Sequence, residues 1–266
     1  MTKSLFFPFL SLLIFSSTLL AEPWFIDKTY VYQEGSKLSE QYLNKTAPDF
    51  KQQHQAILPW IVRVEVKMNI TATSYSSNHG TGIILKDGIV MTAKHVLMQN
   101  SKDPKKNQIT LTMTDGRTFP AKLMKTGKKD WVALKMVLTA EQKEMLNSPI
   151  KVAKPVLKET CVFFGYPAQL GLDQEGKVQS FHKGDKKQNI PVSQLNPMIV
   201  VAAPSDLKMM HLKPLAGFPA VGGMSGGPIF NLKGEFVAVQ HSIATTRENA
   251  TGKVLNYRVD ATSIAD

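Results

Sequence analysis

Apolar and polar residues alternate along much of the chain after residue 60. From Val62 to Met68 every second residue is apolar, and the residues between them are charged. This period of two is typical of a strand with one buried face. Similar short runs predict strands at 82–85, 89–92, 108–114, 117–124, 131–137, 151–157, 161–166, 176–181, 198–203, 229–231, 236–241 and 256–259. Many short strands with little helix between them indicate an all-β sandwich or barrel.

Helical signals are few. Ser36–Leu43 could form one or two helical turns, and Thr139 with Gln142 forms a capping-box pattern that opens a short helix ending near Asn147. This helix connects two predicted β domains, residues 57–150 and 151–266. The polar, mixed segment 22–56 before them is predicted to be an N-terminal extension or a pro-segment.

The N-terminus has the pattern of a secretory signal peptide. Lys3 precedes an uncharged stretch from Ser4 to Ala21, and Glu22 follows it. A positive start, an apolar centre and a small residue before the cleavage point predict a signal peptide over residues 1–21. We therefore expect export to the periplasm or the medium. The uncharged run of 18 residues could instead serve as an uncleaved membrane anchor, which we rank second.

Composition narrows the possible partners. The 266 residues are 43% hydrophobic and 20% charged, which is typical of a globular protein, and the net charge is +11. The lysines cluster in turn-like stretches without interleaved aromatic residues, so we expect no nucleic-acid binding, whereas weak association with anionic surfaces stays open. Cys161 is the single cysteine, so no intrachain disulfide can form.

The stretch GGMSGGP, residues 222–228, surrounds Ser225 with glycines. Glycines permit backbone conformations in which amide groups closely approach a ligand. A serine hydroxyl is a weak nucleophile and needs a base beside it. His95 is the best placed histidine, because it ends the stretch GTGIILKDGIVMTAKHV directly after a predicted hairpin. No histidine pair has metal-ligand spacing, so we expect neither a metal nor a cofactor.

Asp130 is the candidate acid, because it stands directly before a predicted strand. Asp87 and Asp115 belong to Asp-Gly turns, which account for them fully. Asp130 alone would also fit a solvated residue before a strand. The order His95, Asp130, Ser225 favours a catalytic triad instead.

The segments TAKHV, DWVALK and GMSGGPIF, in this order, resemble trypsin-like serine proteases of the chymotrypsin fold. The chain is most similar to the bacterial branches without disulfides, the HtrA/Deg-type proteases and the glutamyl-endopeptidase-like enzymes. The resemblance covers about residues 58–262. It implies two six-stranded antiparallel β-barrels with the active site in the cleft between them. The chain ends about 40 residues after Ser225, so we expect no C-terminal PDZ domain.

The resemblance also implies the roles of single residues. His95 would act as general base and acid, Asp130 would orient it, and Ser225 would attack the scissile carbonyl. The backbone N–H groups of Gly223 and Ser225 would form the oxyanion hole. Met224, Lys94 and Trp131 depart from the common family residues, but none of them removes a catalytic atom. We expect a protein or peptide substrate and a monomer.

A primary specificity pocket is implied near the nucleophile. Its base would lie at Phe218 and Pro219, and its wall would come from Gln240, His241 and Ser242. The predicted base carries no acid, which disfavours a preference for Lys or Arg. An apolar or small substrate residue is favoured, and His241 leaves an acidic one open.

Two other functions compete with the protease. Gly223-Met-Ser-Gly-Gly227 also fits the G-x-S-x-G motif of α/β-hydrolases, but that fold needs its acid and histidine after the serine, and alternating helices. The second alternative is a catalytically silent protein of the same fold that acts in binding or adhesion. The complete His95, Asp130 and Ser225 set argues against it.

Overall fold

The computed structural model describes residues 28–69, 74–98, 103–168, 170–172, 178–180, 190–191, 194–202, 209–215, 222–247 and 254–263. The predicted signal peptide, residues 1–21, lies outside this part. The helices are α1 (Lys28–Thr46), α2 (Phe50–Ile57), α3 (Lys94–Met98) and α4 (Ala140–Met145). Short 3-10 turns cover Leu58–Trp60, Lys86–Gly88 and Pro104–Lys106.

Strands dominate the described part of the chain. They are β1 (Ile61–Asn69), β2 (Tyr75–Leu85), β3 (Ile89–Thr92), β4 (Gln108–Met113), β5 (Thr118–Thr126), β6 (Val132–Met136), β7 (Thr160–Gly165), β8 (Leu170–Leu172), β9 (Val178–Ser180), β10 (Ile190–Pro191), β11 (Gln194–Ala202), β12 (Met210–Pro214), β13 (Pro228–Asn231), β14 (Phe236–Arg247) and β15 (Val254–Thr262).

These strands form two closed barrels. The first has the order β1-β2-β3-β6-β5-β4, and the second has the order β11-β12-β15-β14-β13-β7. Strands β8, β9 and β10 form a separate small sheet. All strand pairs within the barrels are antiparallel. The predicted all-β fold with two six-stranded antiparallel barrels is therefore confirmed.

Alternation along β1 fills the first barrel. Val62, Val64 and Val66 are fully buried, whereas Arg63 and Glu65 between them are partly exposed. Burying one such valine stabilises the fold by roughly 1.5–3 kcal/mol relative to leaving it exposed. The pattern that predicted the strand thus also fixes which face of it points inward.

The N-terminal helices belong to the packed structure. Leu43 of α1 and Phe50 and Ile57 of α2 are buried in the same core cluster as the first barrel. The ring of Phe50 lies 6.5 Å from that of Phe164 on β7, measured between centroids. Helix α1 is longer than the one or two turns predicted from the sequence. Whether residues 22–56 are removed as a pro-segment stays a prediction, but part of this segment contributes to the core.

The connection between the barrels contains one confirmed and one wrong prediction. In the capping box of α4, the Thr139 hydroxyl accepts from Gln142 N–H at 3.2 Å and Gln142 Oε1 accepts from Thr139 N–H at 3.0 Å. The strand predicted over residues 151–157 forms only an isolated bridge, between Val152 and Phe236. Its apolar residues do not alternate into a core, since Val156 and Leu157 are more than half exposed.

Among the helices of the described residues, none combines the length and the apolar character that a transmembrane helix requires.

Candidate active site

Two left-handed glycines shape the loop that carries Ser225. Gly223 has φ +91° and Gly226 has φ +85°, a region that other residues rarely adopt. A Cβ at Gly223 would lie 2.8 Å from the Tyr166 carbonyl oxygen and 2.9 Å from Ala168 Cα. A side chain therefore does not fit at this position, which explains why residue 223 is a glycine.

Thr81 of β2 holds this loop from the opposite barrel. Its N–H donates to the Ser225 carbonyl at 2.7 Å, and its hydroxyl donates to the Gly223 carbonyl at 3.0 Å. The same hydroxyl accepts from Tyr166 N–H at 2.8 Å. Thr81 is fully buried. One residue of the first barrel thus fixes two backbone positions of the serine loop.

Close packing places the serine loop beside the turn that carries His95. A Cβ at Gly80 would lie 2.6 Å from Val96 Cγ2 and 2.9 Å from the Ser225 carbonyl oxygen. A Cβ at Gly226 would overlap Thr92 Oγ1 and come within 2.7 Å of Ala93 N. Thr92 and Ala93, shortly before His95, are therefore packed against the loop of Ser225, and Val96 after it packs against Gly80, which also contacts this loop.

His95 is held by Asp130 through two hydrogen bonds. The ring atom Nδ1 lies 2.6 Å from Asp130 Oδ2, and the backbone N–H of His95 donates to Asp130 Oδ1 at 2.9 Å. The two side chains are 36% and 28% exposed, so the pair remains accessible at the surface. With Nδ1 engaged by the carboxylate, Nε2 is the ring atom left for another partner.

The electrostatics of Asp130 keep it ionised. Burial raises its pKa, but the hydrogen bonds and positive charge of His95 and the charge of His241 outweigh burial, so the pKa lies below the ordinary value. The carboxylate is therefore negative at neutral pH and available to stabilise a protonated imidazole.

Comparison with protein-family models matches residues 80–239 to the trypsin-like peptidase domain. The chain belongs to the trypsin-like peptidase family. The matched region covers more than half of the chain and contains His95, Asp130 and Ser225. A search of the curated proteins found no match.

The residues predicted to line the specificity pocket of the peptidase lie in different surroundings. Phe218 and Pro219 are outside the described residues. Gln240 is buried, and its backbone exchanges hydrogen bonds with Gly226 and Gly227. The Ser242 hydroxyl donates to Asp260 Oδ2 at 3.2 Å, and His241 interacts electrostatically with Asp130. The assignment of a pocket to these residues stays a prediction.

A second cluster of ionisable groups lies on the C-terminal barrel of the peptidase. His211 Nδ1 is 2.7 Å from Asp260 Oδ1, and Arg258 donates to both oxygens of Asp260, at 2.8 and 3.3 Å. Burial raises the pKa of Asp260, but the hydrogen bonds from Arg258, His211 and Ser242 bring it below the ordinary value. The carboxylate of Asp260 is the shared partner in this cluster, and the Ser242 hydroxyl is one of its donors.

Thr81 is the residue of the site that sequence reasoning did not single out. It stands inside GTGIIL, which resembles the family segment before the histidine, but its partners lie 85 and 142 residues away in the sequence. Met224, which departs from the family pattern, is fully buried in the core of the second barrel. It therefore fills space behind the loop.

Within the described residues, no group of three or more His, Cys, Asp or Glu side chains is arranged to hold a metal ion. Cys161 is buried and free, and burial raises the pKa of its thiol to about 12. At neutral pH this thiol is protonated and therefore a poor nucleophile.

Proposed function

We propose that the protein is an exported serine endopeptidase in which His95, Asp130 and Ser225 form the catalytic triad. The observation that carries this proposal is the doubly hydrogen-bonded His95–Asp130 pair on a turn packed against the Ser225 loop. Family membership supports the reaction class. The signal-peptide pattern of residues 1–21 supports export.

The chemistry follows from these roles. His95 takes the proton of the Ser225 hydroxyl through Nε2, and Ser225 attacks the scissile carbonyl to form a tetrahedral intermediate. Asp130 stabilises the imidazolium that results. His95 then gives the proton to the leaving amine, and water hydrolyses the acyl-enzyme by the same steps.

The oxyanion would be bound by the N–H groups of Gly223 and Ser225. The left-handed φ of Gly223 and the hydrogen bond from Thr81 to its carbonyl fix the orientation of this peptide segment. A preorganised donor of this kind contributes roughly 3 kcal/mol of transition-state stabilisation. The loop therefore supplies both the nucleophile and the electrostatic stabilisation.

We propose a protein or peptide substrate with an apolar or small residue before the cleaved bond. This preference rests on the absence of an acidic residue at Phe218 and Pro219. It favours a relationship to the disulfide-free bacterial proteases of the HtrA/Deg type. Profiling of cleavage with a peptide library measures the preference directly. Cleavage predominantly after Asp or Glu would instead support the glutamyl-endopeptidase-like branch.

The function is tested by covalent labelling with a fluorophosphonate. We expect the folded protein to be labelled on Ser225 and to cleave casein, and Ser225→Ala to lose both activities by at least about 1,000-fold. Ser77→Ala, at an exposed serine of β2, is the matched control and should be labelled normally. Folded protein that reacts with no fluorophosphonate and cleaves no substrate would favour the silent binding protein.

A further inference from the structure

His241 occupies a β-bulge next to the serine loop. In the pairing of β14 with β15, Gln240 is opposite Ala261 and Ser242 is opposite Asp260, so His241 is the extra residue between them. Bulges of this kind change the direction of a side chain and are frequent beside active sites. The backbone of the preceding residue, Gln240, bonds to Gly226 and Gly227. The bulge is thereby attached to the loop that carries Ser225.

The imidazole of His241 interacts with charged groups from both barrels. Asp130 and His95 belong to the first barrel, whereas Asp260 on β15 and His211 on β12 belong to the second. Of the two carboxylates, Asp130 has the larger effect on His241. His241 therefore lies within electrostatic reach of the acid that orients His95.

The carboxylates of Asp260 and Asp130 differ in the number of hydrogen bonds that they accept from side chains and backbone. Asp260 accepts hydrogen bonds from three side chains, those of Arg258, Ser242 and His211. The hydrogen bonds described for the carboxylate of Asp130 both come from His95. A carboxylate offers about four acceptor positions, so Asp130 retains capacity for a second partner.

The ring nitrogen Nε2 of His241 is buried and makes no hydrogen bond to the described residues. A buried polar atom without a partner costs roughly 1–3 kcal/mol. The pKa of His241 lies below the ordinary value, mainly because of burial. The negative charges of Asp130 and Asp260 raise this pKa, and the positive charges of His95 and His211 lower it further. The ring is therefore neutral at neutral pH and gains its proton only in acid.

We propose that His241 is a positioning residue for Asp130, and that its protonation in acid weakens the support that Asp130 gives to His95. This inference rests on the proposed triad. The neutral ring of His241 leaves the negative charge of Asp130 to His95. The protonated ring attracts that charge and becomes a second partner of the carboxylate.

Two physical effects then lower the rate. The imidazolium that forms on His95 during catalysis meets a carboxylate that is already partly neutralised, and it is also repelled by the positive ring of His241. Catalysis then requires both imidazoles to be neutral, since the general base itself must be free to accept a proton. The activity should therefore fall more steeply in acid than a single histidine permits.

The test measures the rate at which a fluorophosphonate labels Ser225 between pH 5 and 9, because this reaction needs no known substrate. A single inactivating protonation lowers the rate by about 10-fold per pH unit, and two lower it by up to about 100-fold. We expect the unmodified protein to exceed 10-fold per unit on its acid limb. His241→Gln should return to about 10-fold per unit on its acid limb.

His79→Gln is the matched control. His79 is also partly buried, burial likewise lowers its pKa, and its described partners are Arg63 and Glu65. This variant should keep the steep acid limb. A limb of 10-fold per unit in the unmodified protein, or a steep limb retained in His241→Gln, would overturn the inference. A uniform loss at all pH values with unchanged steepness would assign His241 a purely structural role.

A second readout does not depend on turnover. The proton on His95 Nδ1, shared with Asp130, gives a low-field NMR signal that His95→Gln should remove. We expect its chemical shift to move in two steps with pH in the unmodified protein and in one step in His241→Gln. A single step in the unmodified protein contradicts the inference even where His241→Gln does not fold. Absence of labelling at every pH would contradict the triad, whereas this signal would still report the coupling.

Discussion

At the scale of single residues, a buried hydroxyl connects the Ser225 loop to the opposite barrel. The Thr81 hydroxyl donates to Gly223 and accepts from Tyr166, so both of its hydrogen-bonding functions are used inside the protein. The carbonyl of the same residue accepts from the Thr92 hydroxyl at 2.6 Å, three residues before His95. Thr81 thereby links the segments that carry Ser225 and His95.

We expect Thr81→Val to lower stability and activity together. Valine matches the shape but leaves the Gly223 carbonyl and the Tyr166 N–H buried without partners, at roughly 1–3 kcal/mol each. The free energy of unfolding in urea and the rate of fluorophosphonate labelling measure the two effects.

Thr81→Ser is the control, because it keeps the hydroxyl and removes only a methyl group. It should recover most of the labelling rate. Equal labelling rates for Thr81→Val and the unmodified protein would mean that the hydroxyl does not position the loop.

The sequence predicted the residues with local signals and missed those with distant partners. The glycines beside Ser225 indicate unusual backbone conformations, and Gly223 and Gly226 do adopt a positive φ. Thr81 is one of several polar residues in β2, and nothing in its neighbours indicates a contact 142 residues away. The sequence places His241 in a substrate pocket, which stays a prediction, and it gives no sign of the electrostatic interaction with Asp130, because that depends on how the two barrels meet.

At the scale of elements, the N-terminal helices extend the core. Phe50 is 2% exposed, and its ring faces Phe164, which is also in edge contact with Phe230 at 5.4 Å. Helix α2 therefore adds to an aromatic cluster that continues into β7 and β13. A segment packed in this way contributes to the stability of the folded protein.

We expect Phe50→Ala to destabilise the protein by roughly 3–5 kcal/mol, because it removes a buried aromatic ring and leaves a cavity. Unfolding in urea measures the difference, and the exposed neighbour substitution Lys51→Ala should change stability by less than about 0.5 kcal/mol. The intact mass of the active protein shows whether residues 22–56 are still present. A fully active species that lacks residues 22–56 would show that α2 is dispensable.

The element predictions succeeded where alternation was strong and failed where it was absent. Strand β1 follows its alternating pattern, and α4 begins at its capping box. Segment 151–157 contains enough apolar residues for a strand, but it pairs only at Val152. Strand β12, residues Met210–Pro214, was not predicted, because only its Met210 and Leu212 are buried and its run is short.

At the scale of the whole molecule, the two barrels meet at positions that admit no side chain. Gly226 packs against Thr81 and Thr92 of the first barrel, and Gly80 packs against Val96 and the Ser225 carbonyl. The distance between the barrels is therefore set by backbone contact at the site itself. Any added atom there has to displace backbone of one barrel.

We expect Gly226→Ala to lower the free energy of unfolding by at least about 2 kcal/mol, because the left-handed φ and the overlap both penalise a Cβ. Gly222→Ala is the matched control, since a Cβ at Gly222 would meet nothing within 4 Å and its φ is not in the left-handed region. Urea unfolding of the two variants gives the comparison. Equal stability of Gly226→Ala and Gly222→Ala would contradict this packing.

The hydrogen bonds from Thr81 to the Ser225 loop have a consequence for how the enzyme could be divided. His95 and Asp130 lie before the exposed segment 156–158, whereas Ser225 lies after it, and Thr81, which holds the Ser225 loop, belongs to the earlier part. A cut in this segment therefore yields two fragments, neither of which contains the complete proposed triad. Activity would then appear only when the two fragments reassociate. This fold therefore offers a basis for a split-enzyme sensor of proximity.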